Sequence, residues 1–130
     1  MRLPLTYLAV IALLTACGQR DDSRSSSDAN LRKTLAGTWT RQNAGMVILA
    51  PDGTYTSRFT NAPGNQIWQS EGRWAVADRV VIYTVSKSRS WGTTNREPVG
   101  AQERCRIIKV DDREFVWEWQ GKTNWLTRLK

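Results

Sequence analysis

The sequence contains no histidine and only two cysteines among 130 residues. Without histidine the chain cannot form a Cys–His zinc site or a histidine-dependent catalytic triad. No stretch reaches the roughly 20 consecutive apolar residues that a membrane-spanning helix needs. These absences leave a few carboxylates, lysines, tyrosines and thiols for chemistry. We therefore expect that the protein is not an enzyme and has no metal site and no cofactor.

The one strongly apolar segment is short and ends at a cysteine. Met1 and Arg2 precede the mostly apolar residues 3–14, and the small residues Thr15 and Ala16 lead to Cys17. A basic start, an apolar centre and a small-residue boundary are the three parts of an export signal. The sequence therefore predicts a signal peptide over residues 1–16. An ordinary secretory signal that contains a cysteine by chance is the alternative.

The residues Leu14-Thr15-Ala16-Cys17 resemble the lipobox of bacterial lipoproteins. The resemblance implies that the Cys17 thiol is alkylated by diacylglycerol and that cleavage leaves Cys17 as the first mature residue. The lipoprotein pattern supplies two or three acyl chains, such as palmitate, and two or more chains are needed for a stable anchor. Gly18 stands directly after Cys17. An aspartate at this position would resemble an inner-membrane retention signal. The expected location is the cell envelope, at the outer membrane and facing the periplasm.

The residues after Cys17 predict a tether followed by one domain. Residues 18–30 are polar and serine-rich, and such a composition cannot bury enough apolar surface to fold. We therefore predict a lipidated cysteine and flexible tether over 17–30 and a single domain over 31–130. Lipidation of Cys17 would leave Cys105 without an intrachain disulfide partner. Strand alternation predicts that Cys105 is buried, on the face opposite Arg104 and Arg106.

Positive charge exceeds negative charge, with 19 Lys+Arg against 12 Asp+Glu and a formal net charge of +7. In a cytosolic protein this excess would suggest nucleic acid. For an exported lipoprotein we expect no nucleic-acid partner. The expected partner of the basic surface is an anionic envelope component such as lipopolysaccharide. A solvated basic surface without a specific partner is the alternative.

Beyond a short helix, the apolar pattern has a period of two. Asp28 is a plausible N-cap of the helix and Gly37 a plausible stop. Gly72 interrupts an alternating segment and predicts a bend or bulge. Strands are predicted over residues 38–44, 45–50, 54–60, 67–77, 80–88, 102–110, 114–120 and 125–130.

The connections between the predicted strands are mostly short. Residues 89–101, which include Trp91, form the longest predicted loop. The sequence thus predicts an all-β fold, an antiparallel up-and-down meander that closes into a small, roughly eight-stranded barrel because closure removes the exposed edges. A split β-sandwich is the alternative.

The segment Leu35-Ala36-Gly37-Thr38-Trp39 resembles the first signature of the lipocalin-like, or calycin, families. The resemblance implies a lipocalin-like barrel in which a short helix precedes Gly37-x-Trp39 and the tryptophan closes the barrel floor. Arg128 stands where these families keep an arginine that packs over that tryptophan. In fatty-acid-binding relatives a similar arginine points inward to a carboxylate, and both roles remain open here. Avidin-like barrels begin with a similar motif.

Seven tryptophans are many for a chain of this length. Four of them and two other aromatic residues fall on strand faces that alternation marks as inward, and they are the predicted ligand-lining residues: Tyr55, Phe59, Trp68, Trp74, Trp117 and Trp119. They either line a pocket or fill a barrel that is only just wide enough for its own side chains. The predicted function is a membrane-anchored module that binds a small hydrophobic or amphipathic ligand. The alternative is a packed barrel that contacts envelope components or proteins.

Overall fold

The described part of the chain forms one α-helix followed by eight antiparallel strands that close into a barrel, as seen in a computed structural model. The structure describes residues 22–42, 44–61, 66–91 and 98–130, with side chains except at 22–26, 61 and 66. The predicted signal peptide and Cys17 lie outside the described residues. The elements are α1 (Asp22–Leu35), β1 (Gly37–Arg41), β2 (Gly45–Leu49), β3 (Thr54–Asn61), β4 (Gln66–Ala77), β5 (Val80–Trp91), β6 (Gln102–Val110), β7 (Glu114–Trp119) and β8 (Lys122–Arg128).

The strands follow one another round the barrel in chain order, so the predicted all-β meander is confirmed. Each strand pairs with its neighbours in the sequence, and β1 pairs with β8 through Trp39↔Arg128 and Thr40↔Thr127. Leu129 N–H also donates to Thr38 O at 2.9 Å. This seam is short, and side chains at both of its ends reinforce it. The closed order rules out the split β-sandwich.

Alternating side chains from all eight strands build the core. The fully or nearly fully buried residues, with Leu35 from α1, are Leu35, Trp39, Val47, Leu49, Tyr55, Trp74, Val81, Val85, Cys105, Ile107, Phe115 and Leu126. Leu35 packs against the floor formed by Trp39. The period-two pattern predicted the inward face for Tyr55, Trp74 and Cys105, because successive side chains of a strand point to opposite sides.

Gly72 marks a β-bulge, as predicted. The β4–β5 register shifts between Glu71 and Gly72: Glu71 pairs with Lys87, whereas Gly72 pairs with Val85. Ser86 is the extra residue on β5. A Cβ atom at Gly72 would lie 1.9 Å from the carbonyl oxygen of Thr84, so only glycine fits. Bulges of this kind bend a strand and increase its twist, as barrel closure requires.

Four boundary predictions are corrected. The helix begins at Asp22, within the predicted tether, so Asp28 is not its N-cap. β1 ends at Arg41, short of the predicted residue 44. Trp91 belongs to β5, because β4 supplies hydrogen-bonding partners as far as the pair Ile67↔Trp91. β8 begins at Lys122, since Gln120 and Gly121, with φ of 49° and 74°, make a two-residue turn there.

The two ends of the barrel differ. In a meander, alternate connections lie at opposite ends, so residues 50–53, 78–79 and 111–113 share one end. Helix α1 contacts this end: the Asp28 carboxylate accepts the N–H groups of Asp78 and Arg79 at 2.9 and 3.2 Å. Arg32 Nη2 donates to Pro51 O at 3.4 Å. We call this the helix end, and we call the end with the β1–β2, β3–β4, β5–β6 and β7–β8 connections the loop end.

Candidate functional site

The floor of the barrel is built around Trp39 and Arg128. Trp39 is fully buried, and its indole Nε1–H donates to Leu35 O at 2.7 Å. The Arg128 guanidinium lies over the indole, with Cζ 4.2 Å from the ring centroid. Of the two roles left open by the sequence, Arg128 therefore has the packing role. Such cation–π contacts contribute about 0.5–2 kcal/mol, depending on desolvation.

Arg128 also caps the C-terminus of α1. Its Nη1 donates to Ala36 O at 3.0 Å, and its Nη2 donates to Thr34 O. The last four carbonyl groups of a helix have no partner within the helix, and a cation there also complements the helix dipole. One guanidinium thus ties the last strand to both the helix and the first strand. Gly37 leaves room for it: a Cβ at this position would lie 2.5 Å from Nη1.

A second cation–π contact lies further along the same seam. Arg41, the last residue of β1, places its guanidinium 4.4 Å from the ring of Trp125 on β8. Trp125 is about half exposed, and exposed cation–π pairs contribute only about 0.5–1 kcal/mol. The first contact is made by the paired residues Trp39 and Arg128, and the second lies just beyond the pair Thr40↔Thr127.

Inside the barrel lies a cavity of about 70 Å³. Aromatic and aliphatic side chains make up one part of its lining, and polar groups the other. The described residues that line it are Val47, Tyr55, Ser57, Phe59, Ser70, Tyr83, Glu103, Cys105, Phe115, Trp117 and Leu126. The cavity is several times smaller than the roughly 300–1,000 Å³ of pockets for drug-sized ligands.

The structure places three of the six predicted ligand-lining residues at this cavity, namely Tyr55, Phe59 and Trp117. The other three lie elsewhere. Trp74 is buried towards the helix end, where its Nε1–H donates to Ala50 O at 2.8 Å and Arg32 covers its ring at 5.0 Å. Trp68 is half-buried opposite Phe59 and Ser90, outside the cavity lining.

Trp119 differs most from its prediction. It lies at the tip of β7 next to the turn of the loop end, and it is 38 % exposed. By alternation Trp119 shares the face of Phe115 and Trp117, but it is the last residue of its strand and is not among the residues that line the cavity. The strand face on which a residue lies therefore does not by itself show that the residue lines the cavity.

The sequence-based prediction missed the polar part of the cavity. Ser57 and Ser70 are cross-strand partners on β3 and β4, and their hydroxyl oxygens are 2.8 Å apart. The Tyr55 hydroxyl donates to Ser70 Oγ at 3.4 Å. The signal for these residues was present, because Ser57 alternates with Tyr55 and Phe59, and Ser70 with Trp68 and Trp74.

Tyr83, Glu103 and Cys105 complete the polar part. Tyr83 and Glu103 are directly opposite each other on β5 and β6, and the rings of Tyr55 and Tyr83 meet edge to face with centroids 5.0 Å apart. Cys105 Sγ makes a long hydrogen bond of 3.8 Å to Glu103 Oε1. Glu103 shares the inward face of Cys105 and Ile107, so the alternation that buried the cysteine also indicated the carboxylate.

The interior favours neutral acids. Burial, and after it the negative charge of Glu103, raises the pKa of the Cys105 thiol. Burial also raises the pKa of the Tyr83 phenol, with further contributions from Cys105 and Glu103. Cys105 is therefore a protonated, weakly nucleophilic thiol at neutral pH, since the thiolate is the reactive form. The prediction that Cys105 is buried is confirmed.

Two further properties concern the described part of the chain. No helix there is both long and apolar enough to cross a bilayer. No group of three or more acidic, cysteine or histidine side chains within the described ranges could hold a metal ion.

No protein-family model matches this sequence. No curated protein matches it either.

Proposed function

We propose that this protein is a lipid-anchored envelope protein whose barrel binds a small amphipathic ligand through the loop end. The observation that carries the proposal is the interior cavity, where Tyr55, Phe59 and Trp117 meet a cluster of polar side chains. An apolar cavity with a few convergent polar groups is the usual form of a small-ligand site. The proposal includes no catalytic step.

The position of α1 supports this arrangement. The helix is joined to the predicted anchor at Cys17 by only a few residues, and it covers the end of the barrel at residues 50–53 and 78–79. An anchor on Cys17 would therefore hold the helix end towards the membrane. The loop end, opposite it, would face the aqueous phase of the periplasm, and a ligand would enter from there.

The outer surface supports an additional contact with anionic envelope components. On β6 the side chains of Arg104 and Arg106 point outward, away from the buried Cys105 between them. Arg106 forms an ion pair with Glu118 at 2.9 Å, while the neighbouring strand contributes Lys87 and Arg89 to the exterior. Long-range attraction of this kind is screened by salt.

The second candidate function is a packed barrel that binds no small molecule and serves as an interaction module. The specific observation in its favour is the small size of the cavity, about 70 Å³. In this case Tyr55, Phe59 and Trp117 would act as filling side chains.

Ligand titration separates the two functions. The full chain, purified in non-ionic detergent, is titrated with a panel of fatty acids, alkylamines and alcohols while tryptophan emission is recorded. Under the first function at least one class shifts the emission, and the Trp117→Phe variant reduces the shift because Trp117 lines the cavity. Trp125→Phe, a change on the exterior, serves as control. An unchanged spectrum across the whole panel would leave the packed barrel as the function.

The anchor is tested separately. Cells expressing the wild-type chain or Cys17→Ser are labelled with palmitate and fractionated. We expect the wild type to carry label and to sediment with membranes, and the variant to lose both. Equal labelling of the two would refute the anchor without affecting the ligand proposal.

A further inference from the structure

We propose that the outer face of strands β3, β4 and β5 binds an acidic glycan, namely the carboxylate-bearing amino-sugar polymer of the bacterial cell wall. The inference deepens the proposed function and rests on it, because it names one anionic envelope component and the surface that contacts it. It depends on a row of three donor side chains that crosses the strands beside an exposed tryptophan.

Strand register builds this row. Arg58 on β3 is the cross-strand partner of Gln69 on β4, and Gln69 is in turn the partner of Arg89 on β5. Neighbouring strands lie about 4.8 Å apart, so the Cα atoms of the two arginines are roughly 10 Å apart with Gln69 between them. We call these three residues the donor row.

The donor row lies on the exterior of the barrel. Both arginines are exposed, and Gln69 is half-buried. Arg58 stands between Ser57 and Phe59, and Gln69 directly precedes Ser70, all three of these neighbours being residues that line the cavity. Because successive side chains of a strand point to opposite sides, the donor row points away from the cavity. The surface is therefore separate from the interior site.

Ion pairs do not neutralise the two arginines. The ion pairs within the described ranges all use basic side chains of β6, so neither Arg58 nor Arg89 takes part in one. In the next row towards the helix end, Lys87 stands opposite Glu71. These two rows thus hold three basic residues and one acidic residue. The surface keeps an excess of positive charge, which attracts an anionic partner.

Trp91 supplies an apolar surface next to the donor row. It is the last residue of β5 and points to the same side as Arg89, which lies two residues before it. Its cross-strand partner on β4 is Ile67, and the indole is 45 % exposed. This pair lies about 7 Å from the donor row along the strands, on the side of the loop end. The face thus combines a flat apolar group with charged donors.

This combination matches an acidic sugar chain. The side of a sugar ring that carries C–H groups can pack on an indole, which offers a large apolar face. Guanidinium groups bind carboxylates with two parallel hydrogen bonds. A separation of roughly 10 Å between the two arginines is close to the length of a disaccharide, so successive acidic groups of one chain can reach both.

The position of the donor row selects the source of the glycan. Arg58 and Arg89 lie close to the loop-end termini of β3 and β5. Under the proposed function the anchor holds the helix end towards the membrane, so the donor row faces the aqueous phase of the periplasm. The polymer of the cell wall lies in that phase, whereas the bilayer that carries the anchor lies on the opposite side.

The test is co-sedimentation of the full chain with purified cell-wall sacculi in one non-ionic detergent. We expect the wild type to bind. A variant with both Arg58→Gln and Arg89→Gln should bind about tenfold or more weakly, because two charged hydrogen-bonding partners are lost. Trp91→Ala should weaken binding by about threefold or more, because the apolar face that packs on the sugar is removed.

Two control variants match these changes. Lys33→Gln with Arg113→Gln removes the same charge at the helix end, where both side chains are exposed. Trp125→Ala is matched to Trp91→Ala in exposure, 49 % against 45 %. We expect both controls to bind as the wild type does, and thermal unfolding shows that each variant is folded. Should the double arginine variant fail to fold, the two single variants replace it, and each should weaken binding.

Three further probes decide the class of partner. They are chitin, which is a neutral amino-sugar polymer, beads coated with polyglutamate, and beads with covalently attached phosphatidylglycerol. We expect each to bind the wild type more weakly than sacculi do. Binding to any of the three that is as strong as binding to sacculi would overturn the inference. Equal losses in the donor-row variant and in its helix-end control would overturn it too, because adsorption would then follow net charge alone.

The failures of the inference and of the proposed function are distinguishable. Absence of sacculus binding by a chain that carries palmitate and responds to a cavity ligand would overturn the glycan inference alone. Sacculus binding that depends on the donor row, in a chain that carries no palmitate and responds to no cavity ligand, would overturn the proposed function and leave the glycan surface standing.

Discussion

The guanidinium of Arg128 lies 4.2 Å from the centroid of the Trp39 indole, and this contact joins the last strand to the first. The same side chain donates to the carbonyl groups of Thr34 and Ala36 at the end of the helix. Three elements that are far apart in the sequence therefore meet at one cation. The floor of the barrel should be correspondingly sensitive to this residue.

Replacing Arg128 should destabilise the protein strongly. Arg128→Leu removes the cation–π contact and both helix-capping hydrogen bonds, and we expect the free energy of unfolding to fall by about 2–4 kcal/mol. Arg128→Lys keeps the charge but not the two-pronged geometry, so its loss should be intermediate. Urea unfolding measures both. Arg41→Leu, at the exposed contact with Trp125, is the control and should lose about 1 kcal/mol or less. Equal losses for Arg41 and Arg128 would contradict this account.

Gly37→Ala should be destabilising for two separable reasons. The residue has a φ of 143°, which favours glycine, and an added Cβ would lie 2.5 Å from Arg128 Nη1. We expect a loss of about 2–3 kcal/mol, of which the backbone term is about 1 kcal/mol or more. Gly121→Ala, with φ of 74° and open space around the site, isolates the backbone term. In a double-mutant cycle with Arg128→Ala, the steric part should vanish, and strictly additive losses would refute the clash.

Gly72→Ala should prevent correct closure of the barrel. The added Cβ would meet the backbone carbonyl of Thr84 at 1.9 Å, and a backbone atom within a sheet cannot yield as a flexible side chain can. We expect loss of the cooperative unfolding transition or a stability loss of at least about 3 kcal/mol. Near-ultraviolet circular dichroism reports the packing of the tryptophans. A Gly72→Ala protein with the spectrum and stability of the wild type would show that the bulge is not required.

The β4–β5 turn offers a stabilising change. Asp78 and Arg79 have φ of 50° and 60°, although neither is glycine. Because glycine adopts positive φ without steric cost, Arg79→Gly should raise the free energy of unfolding by up to about 1 kcal/mol.

Asp28→Ala should lower the free energy of unfolding by about 1–2 kcal/mol, because the carboxylate accepts the N–H groups of both turn residues. Asp28→Asn keeps one acceptor oxygen, so its free energy of unfolding should lie between those of the wild type and Asp28→Ala. Thermal unfolding of the three variants ranks them, and an inverted order would contradict the assigned role of Asp28.

Stability should decrease in alkaline solution. The folded state raises the pKa of the Cys105 thiol, so above about pH 8.5 the unfolded chain loses a proton that the folded chain keeps. The contribution of this thiol to the free energy of unfolding is therefore fully present below that pH. As the pH rises further, the free energy of unfolding falls by at most about 1.4 kcal/mol per pH unit because of this group. Cys105→Ala should be less stable at pH 7 because it leaves a cavity, but its stability should change less between pH 8 and pH 10. Urea unfolding at a series of pH values gives both slopes, and parallel slopes would exclude Cys105 as the cause.

The sequence predicted the faces of the strands better than their ends. Alternation correctly gave the inward positions of Tyr55, Trp74 and Cys105, because a face needs only the local period of two. The sequence predicts that Trp91 lies in the loop of residues 89–101. In the structure β4 pairs with β5 as far as Trp91, and such a partner, more than twenty residues away, cannot be read from local composition.

In the candidate site, too, local alternation predicted the faces of the residues but not their positions along the barrel. Tyr55, Phe59 and Trp117 were found from their size and face, whereas Trp74 shares the inward face but lies beyond the cavity towards the helix end. Depth along the barrel depends on strand stagger, which the sequence does not specify. Alternation puts Glu103 on the same face as Cys105, but only the pairing of β6 with β5 shows that it lies opposite Tyr83.

By itself, the sequence determined that this chain forms a short helix and a set of alternating strands with glycine at the point where one must bend. Those features follow from side-chain period and backbone freedom, which act between near neighbours. Only the tertiary structure decided that Arg128 stacks on Trp39, that Asp28 holds the turn at Asp78, and that a carboxylate lies inside a basic protein. Closure of the barrel brings these groups together across the fold, and the register between strands, set by the whole closed sheet, fixes which of them meet.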